Sequence, residues 1–392
     1  MRRRVIVVLL ASTLPSAWLG CNAILGNDEA SFVPGAPDAS EASNVVPPSG
    51  DDGPASSDAD AGMLDADADV ITCDADFASD PQNCGACAHD CLGGACEGGT
   101  CGAVLLASDV TIQHAAVDDT HVYWTNGHGD VRRAPLVGGD GGGGEALYTV
   151  ASPGIATGIA STGTKVYFGV NTLSDGGLVA RCDVTGCAGA PETIANALSP
   201  SAMTIGAGAL YWTDDNGDGG VSSCTLPACT SPTAIASQQR FPAKVLVDGT
   251  EIFWASSIGG YVRAAPTGGG ATRSVAEAVS SAYGVAVSTD KVYFAALTQG
   301  IQVVPRNGTA PPTLFSSAAS QARDVAADTT FVYFGDYAAG NMYRCPRDGC
   351  SSLVVLATSD GSPKEVFLDA KSLVWVEDGG GSVSAMIRRI AR

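Results

Sequence analysis

The sequence predicts an all-β chain whose main body is a seven-bladed β-propeller. Three observations predict it. Aromatic dipeptides recur every 40 to 44 residues, at Tyr123-Trp124, Tyr167-Phe168, Tyr211-Trp212, Phe253-Trp254, Tyr293-Phe294 and Tyr333-Phe334, with Val374-Trp375 as the seventh. The intervals hold only short β-branched or aromatic runs broken by Gly and Pro, the composition of strands and turns. A fixed period of that size with strands alone inside it marks a propeller blade. Finally, the seventh unit stops one strand short, and a spare strand-like segment precedes the first unit.

Each unit reads as four strands. Strand a alternates small and apolar residues, as in "HAAVD", "KVLVD" and "GVAVS". A polar turn such as "DDTH" or "DGTE" leads to strand b, the aromatic one, as in "VYWT" and "IFWA". A Gly-rich loop leads to strand c ("VRRA", "MYRC"), and a tight turn such as "PTGGG" or "PRDG" to strand d ("ETIA", "RSVA", "VVLA"). The last unit ends in "SVSAMIRRIAR" with no strand d. "AVLLA", residues 103–107, has that pattern. Ala107 precedes His114 by seven residues, as Ala195 precedes Ala202. The N-terminal strand is therefore expected to complete the seventh blade, which removes the open edges of an unclosed ring.

Ahead of the propeller (103–392) come three further segments. Residues 1–20 carry a basic start, "MRRR", and an apolar run, "VIVVLLASTLPSAWL", too short to span a bilayer comfortably, the pattern of a signal peptide. Residues 21–72 are rich in Ala, Asp, Ser, Pro and Gly and hold no Lys or Arg. Such a stretch cannot bury enough apolar surface to offset its ordering entropy, and it reads as a disordered acidic tether. Residues 73–102 place Cys73, Cys84, Cys87, Cys91, Cys96 and Cys101 in a segment with almost no large apolar side chains, so cross-links must hold it. A zinc set of Cys84, Cys87, His89 and Cys91 is the competing reading there. The connectivity of the three bridges is not readable from spacing. Three further C-x4-C pairs, Cys182/Cys187, Cys224/Cys229 and Cys345/Cys350, fall at the c–d turns of blades 2, 3 and 6, where each is expected to staple a hairpin. Of thirteen cysteines, twelve pair evenly and Cys21 stands alone, which points to an oxidising compartment.

Gly20-Cys21 resembles the lipobox of bacterial lipoproteins, which implies acylation of Cys21 and a membrane anchor through lipid alone, in the cell envelope and more on the outer membrane or cell surface than on the inner membrane. "NCGACAHDCLGGACEGGTC" resembles small cysteine-rich units of secreted proteins of Gram-negative bacteria. "VYWTN", "LYWTD" and "IFWAS" resemble the Tyr-Trp-Thr-Asp repeats of low-density-lipoprotein-receptor-type propellers and related bacterial repeats, which implies a propeller inclined toward binding a protein or a glycan.

The chain has a net charge of −20. Nucleic acid is excluded as a partner, because phosphate neutralisation needs Lys/Arg clusters. Propellers bind on the face built from d–a and b–c loops. Counting back from each aromatic pair places His114, Lys244, Tyr283, Arg323 and Lys364 around that channel mouth, with Asp324 and Glu365 as candidate internal counter-charges. An anionic ligand is one reading of this ring and solvated loop ends are the other. "DDNGDGG" offers Asp214, Asn216 and Asp218 in the spacing that opens a calcium loop, although the twelfth position is Thr225 and not Glu. Turn chemistry alone also explains Asp, Asn and Gly there. Calcium is thus the one cofactor in view. Catalytic signals are thin. His114, His121 and His128 cluster in one blade, and neither G-x-S-x-G nor H-E-x-x-H occurs. The reading is a lipid-anchored extracytoplasmic binding or scaffolding protein. The alternatives are a metal-dependent propeller lyase or hydrolase, and an envelope-assembly lipoprotein.

Overall fold

A computed structural model describes residues 75–172, 176–215, 218–379 and 384–392. Cys21, Cys73, Asn216, the signal segment and the acidic tether lie outside the described residues. Among the described residues there is no helix. Seven four-stranded antiparallel sheets follow one another along the chain. Blade 1 is His114–Val117, His121–Thr125, Asp130–Pro135 and Glu145–Thr149, in that spatial order. The strands a of blades 2 to 7 are Ile155–Ser161, Pro200–Gly206, Pro242–Asp248, Ala282–Val287, Ala322–Ala327 and Ser362–Leu368. Blade 7 takes its fourth strand from the other end of the propeller. Val104–Asp109 pairs antiparallel with Ala385–Ala391, with Leu105 opposite Arg388 and Ala107 opposite Ile387. The predicted ring closure is what the fold contains.

The aromatic dipeptide glues the blades together because adjacent strand residues point to opposite sheet faces. The first aromatic of each pair packs toward the next blade and the second toward the preceding one. Tyr123 of blade 1 shares a core with Phe168 of blade 2. Tyr167 of blade 2 meets Trp212 of blade 3. The series continues through Tyr211 with Trp254, Phe253 with Phe294, Tyr293 with Phe334 and Tyr333 with Trp375. It closes where Val374 of blade 7 meets Trp124 of blade 1, together with Leu106 and Ala107 of the closing strand. Both members of every dipeptide are buried. Fully burying one such side chain is worth about 1.5–3 kcal/mol, so seven interfaces of this kind carry the ring.

Three turns are stapled as expected. Cys182–Cys187, Cys224–Cys229 and Cys345–Cys350 each close a loop with sequence separation 5. Loops this short contribute about 2 kcal/mol each in the chain-entropy view. In the cysteine module Cys84 bonds Cys96 and Cys91 bonds Cys101, and Cys87 is disulfide-bonded as well. The module is not an independent bead. It forms one compact unit with the propeller, and its buried sulfurs share a cluster with Tyr333, Trp375 and Ile390. Arg389, only 3% exposed, is the bolt between them: its Nη2 donates to the carbonyl of Leu92 at 2.7 Å and its Nη1 to the carbonyl of Leu136 in blade 1. His89 Nε2 approaches the carbonyl of Arg392 at 3.1 Å.

Deleting residues 103–107 strips strand c of blade 7 of its partner and exposes the Trp124 core. A calorimetric melt of the deletion variant is expected to show a lower, still cooperative transition. An unchanged midpoint would contradict the closure.

Candidate functional site

At the d–a end of the channel, six of the seven blades share a device that the sequence does not display. In blades 2 to 7 the a–b ladder shifts register where strand a enters the channel, so that one extra residue is accommodated. Such bulges re-aim side chains. The residue immediately before the one opposite the second aromatic forms an inner ring: His114, Gly158, Ala202, Lys244, Gly284, Asp324 and Glu365. The residue before it belongs to the rim. This corrects the single basic ring expected from sequence. His114 and Lys244 lie on the inner ring, whereas Tyr283, Arg323 and Lys364 lie one residue earlier and face other partners.

The inner ring satisfies its own charges. His114 Nδ1 lies 2.7 Å from Glu365 Oε1, and Lys244 Nζ lies 2.7 Å from Asp324 Oδ2. Each carboxylate also takes an amide of the following blade: Val366 N donates to Asp324 at 3.0 Å, and Ala115 N donates to Glu365 at 2.9 Å. Lys244 reaches from blade 4 to blade 6 over the glycine of blade 5. A Cβ on Gly284 would stand 2.3 Å from Asp324 Oδ1 and 2.5 Å from its Cα, so only glycine lets the two strands come this close. Burial pulls the Lys244 ammonium down, but the charges of Asp324 and Glu365 outweigh it and its pKa is raised. Burial likewise pushes Glu365 up, yet His114, then Lys244 and Lys364, hold its carboxyl below the ordinary glutamate value. Beneath the ring the strands a enclose a cavity of about 420 Å³ that His114, Lys244 and Glu365 border and apolar residues mostly line.

The rim residues form a second chain of contacts on the same face. The Arg323 guanidinium stacks 3.6 Å from the Tyr337 ring centroid and 5.9 Å from that of Tyr283. Tyr337 Oη donates to Asp378 at 3.1 Å, and Asp378 pairs with Lys364 at 2.6 Å. Lys364 is thereby neutralised. Arg323 has no carboxylate partner among the described residues, and its Nε is buried without an acceptor. Asp336, at the end of strand b of blade 6, and Asp214, its counterpart in blade 3, explain the final position of the Tyr-Trp-Thr-Asp pattern. Asp214 Oδ1 accepts the amides of Leu198 and Ser199, and Asp336 accepts those of Ser320 and Gln321. The Asp caps the d–a turn. Asp218 is exposed, and Asn216 lies outside the described residues. Among the described residues, the cluster with metal-ligand spacing is Cys84, Cys91 and Cys101, whose sulfurs are in disulfides, which displaces the zinc reading. The three histidines of blade 1 are divided: His121 opens strand b at the a–b end and contacts Thr120, while His114 joins the ring and His128 is exposed in the b–c loop.

Sequence reasoning missed a larger depression, of about 870 Å³, on the opposite face. The a–b and c–d ends of blades 4 to 7 build it, and Arg306, Arg344, Arg347, Lys371 and Arg392 line it. The signal was present in the turns "PRNG" and "PRDG", which put Arg306 and Arg347 at equivalent places.

No protein-family model and no curated protein sequence matches the chain. Solved structures match it by shape. A catalytically inactive variant of virginiamycin B lyase from Staphylococcus aureus, with quinupristin, superposes with TM-score 0.57 at 12% identity, over 74% of this chain and 99% of that one. The computationally designed Ika8 protein gives 0.51 at 12% identity, over 72% and 98%. A chain of a nidogen/laminin complex gives 0.44 at 13% identity, over 60% and 92%. The first two support the propeller fold.

Because the folded state holds Glu365 below its unfolded value, its contribution is complete above the ordinary glutamate value of about 4.3 and is lost as pH falls through its folded value. Glu365→Gln is expected to cost about 1–3 kcal/mol at neutral pH and to show a smaller further loss on acidification than wild type. Chemical denaturation at neutral and acid pH checks this. Parallel acid losses in the two proteins would overturn it.

Proposed function

We propose that the chain is a lipid-anchored extracytoplasmic binding or scaffolding protein, with the d–a/b–c face of the propeller as its partner surface. The observation that supports this best is the composition of that face. Arg323 is held between Tyr283 and Tyr337 with no counter-ion among the described residues, and Val110, Ile155, Leu198 and Ile258 stand exposed on surrounding loops and strand starts. Tyrosine and arginine anchors amid apolar contacts are the side chains that carry most protein interfaces. The channel charges, by contrast, are spent on each other, so the ring serves as a rigid frame for the rim. A bias toward an oxidising compartment follows from the cysteines: every cysteine among the described residues is disulfide-bonded. The anchor rests on Gly20-Cys21 and on the solitary status of Cys21 among thirteen cysteines.

Cys21→Ser is expected to move the protein from the membrane to the soluble fraction. Membrane sedimentation identical to wild type would sink the anchor.

The partner surface is tested by photo-crosslinking in intact cells. A photoreactive side chain at Tyr283 or Ile258 is expected to give the same discrete adduct. One at Val137, in the c–d turn of blade 1 on the other face, is expected to give none. Adducts independent of face, or no adduct from either rim position, would overturn the reading.

A further inference from the structure

The geometry points to a second binding site on the a–b/c–d face, for an acidic saccharide: a sugar unit carrying carboxylate, sulfate or phosphate. It stands apart from the partner surface proposed above and does not depend on it.

Most lysines and arginines among the described residues are paired with a carboxylate. Two of the five cations around the depression follow that rule. Arg306 pairs with Asp248 and Glu251, and Arg392 with Asp328 at 2.7 Å. These pairs use up the acids that border the cavity, Asp248 and Asp328. Arg344, Arg347 and Lys371 have no ion pair among the described residues, and all three line the same space. The Arg344 guanidinium lies 4.6 Å over the Phe331 ring, and its Nε is buried with no acceptor. An arginine preset in this way, desolvated on one side and stacked on the other, has lost the entropy that binding an oxyanion would otherwise cost it.

Such a gathering runs against the chain as a whole, which is at −20. Screening at physiological salt limits repulsion from distant carboxylates to about 8 Å, so a small anion feels the local cluster first. A long polyanion would meet the acidic remainder of the surface, which disfavours nucleic acid. Thr289, Thr329 and Thr330 decide between a sugar and an acidic peptide. They are exposed on the wall of the depression, and among the described residues no side-chain partner occupies their hydroxyls. Hydroxyls interleaved with cations match a ligand that itself alternates hydroxyls with an acid group, whereas the side chains of an Asp or Glu peptide offer acceptors alone and leave only backbone N–H groups as donors.

The test is isothermal titration of the full mature chain with three probes: a uronic-acid trisaccharide, the corresponding neutral trisaccharide, and a hexa-aspartate peptide. The uronate is expected to bind, and the neutral sugar not. The peptide is expected to bind about tenfold more weakly than the uronate, with affinities falling between about 0.05 M and about 0.15 M salt. The double substitution Arg347→Ala, Lys371→Ala should weaken uronate binding about tenfold or more with an unchanged melting midpoint, while Lys165→Ala on blade 2 leaves binding unaltered. Arg344→Lys, which keeps the charge but loses the stacked plane, should weaken it as well. Absence of uronate binding, binding untouched by the double substitution, or a peptide that binds as tightly as the uronate would each overturn the proposal.

Discussion

Everything in this molecule depends on the fact that neighbouring residues in a strand face opposite ways. In strand b that alternation turns one aromatic dipeptide into adhesive for two blade interfaces. Trp254 is buried against blade 3 while Phe253 is buried against blade 5. No blade can bury its two faces alone, so stability comes only with both neighbours in place. The chain meets that demand at its ends by lending Val104–Asp109 to blade 7. Val374 is the one non-aromatic member of the series. It faces blade 1 where Leu106 and Ala107 of the lent strand add their own apolar surface.

The same alternation, modified by a bulge, decides the chemistry of the d–a face. Lys364 and Glu365 are consecutive, yet one reaches Asp378 on the rim and the other His114 on the inner ring. Arg323 and Asp324 divide in the same manner, toward Tyr337 and toward Lys244. Paired inner charges that also accept amides from the next blade act as electrostatic stitches across blades 6, 7 and 1, where the ring is closed by strand exchange and not by a continuous chain. Removing one partner of such a stitch leaves a buried charge uncompensated, which costs far more than the stitch contributes as a pair.

The blade count, the closing strand and the three stapled turns were legible in the sequence because each leaves a periodic or arithmetic trace: the dipeptide spacing, the seven-residue offset from Ala107 to His114, the repeated C-x4-C. The site was legible only to the level of the loop. Counting back from Phe334 finds Arg323 and Asp324 together but cannot tell which faces the channel, because the bulge that separates them is a backbone property with no residue signature. Asp214 shows the opposite limit, a spelling with two readings. Its D-x-N-x-D-G setting is a good calcium spelling, yet its carboxylate is engaged by two amides of the d–a turn, as Asp336 is in a blade with no such spelling. The seat of the cysteine module on the propeller was not legible either. A segment poor in apolar residues folds on its disulfides, but nothing in its composition announced that Arg389, nearly three hundred residues on, would donate to the carbonyl of Leu92.

The distribution of unpaired cations follows from these constraints. Around the channel, close approach of seven strands brings carboxylate and ammonium together, and low solvent access makes any unpaired charge expensive, so the inner ring selects matched pairs. On the a–b/c–d face the turns diverge and water reaches the side chains, so a lone cation there costs little in stability. Arg347 and Lys371 can therefore remain without carboxylates where Lys244 could not. Arg344 departs from this, since its Nε is buried without an acceptor beside Phe331. Arg344 shares the wall of the depression with Arg347 and Lys371, which is why the acceptor proposed for it is an anion that comes from solution.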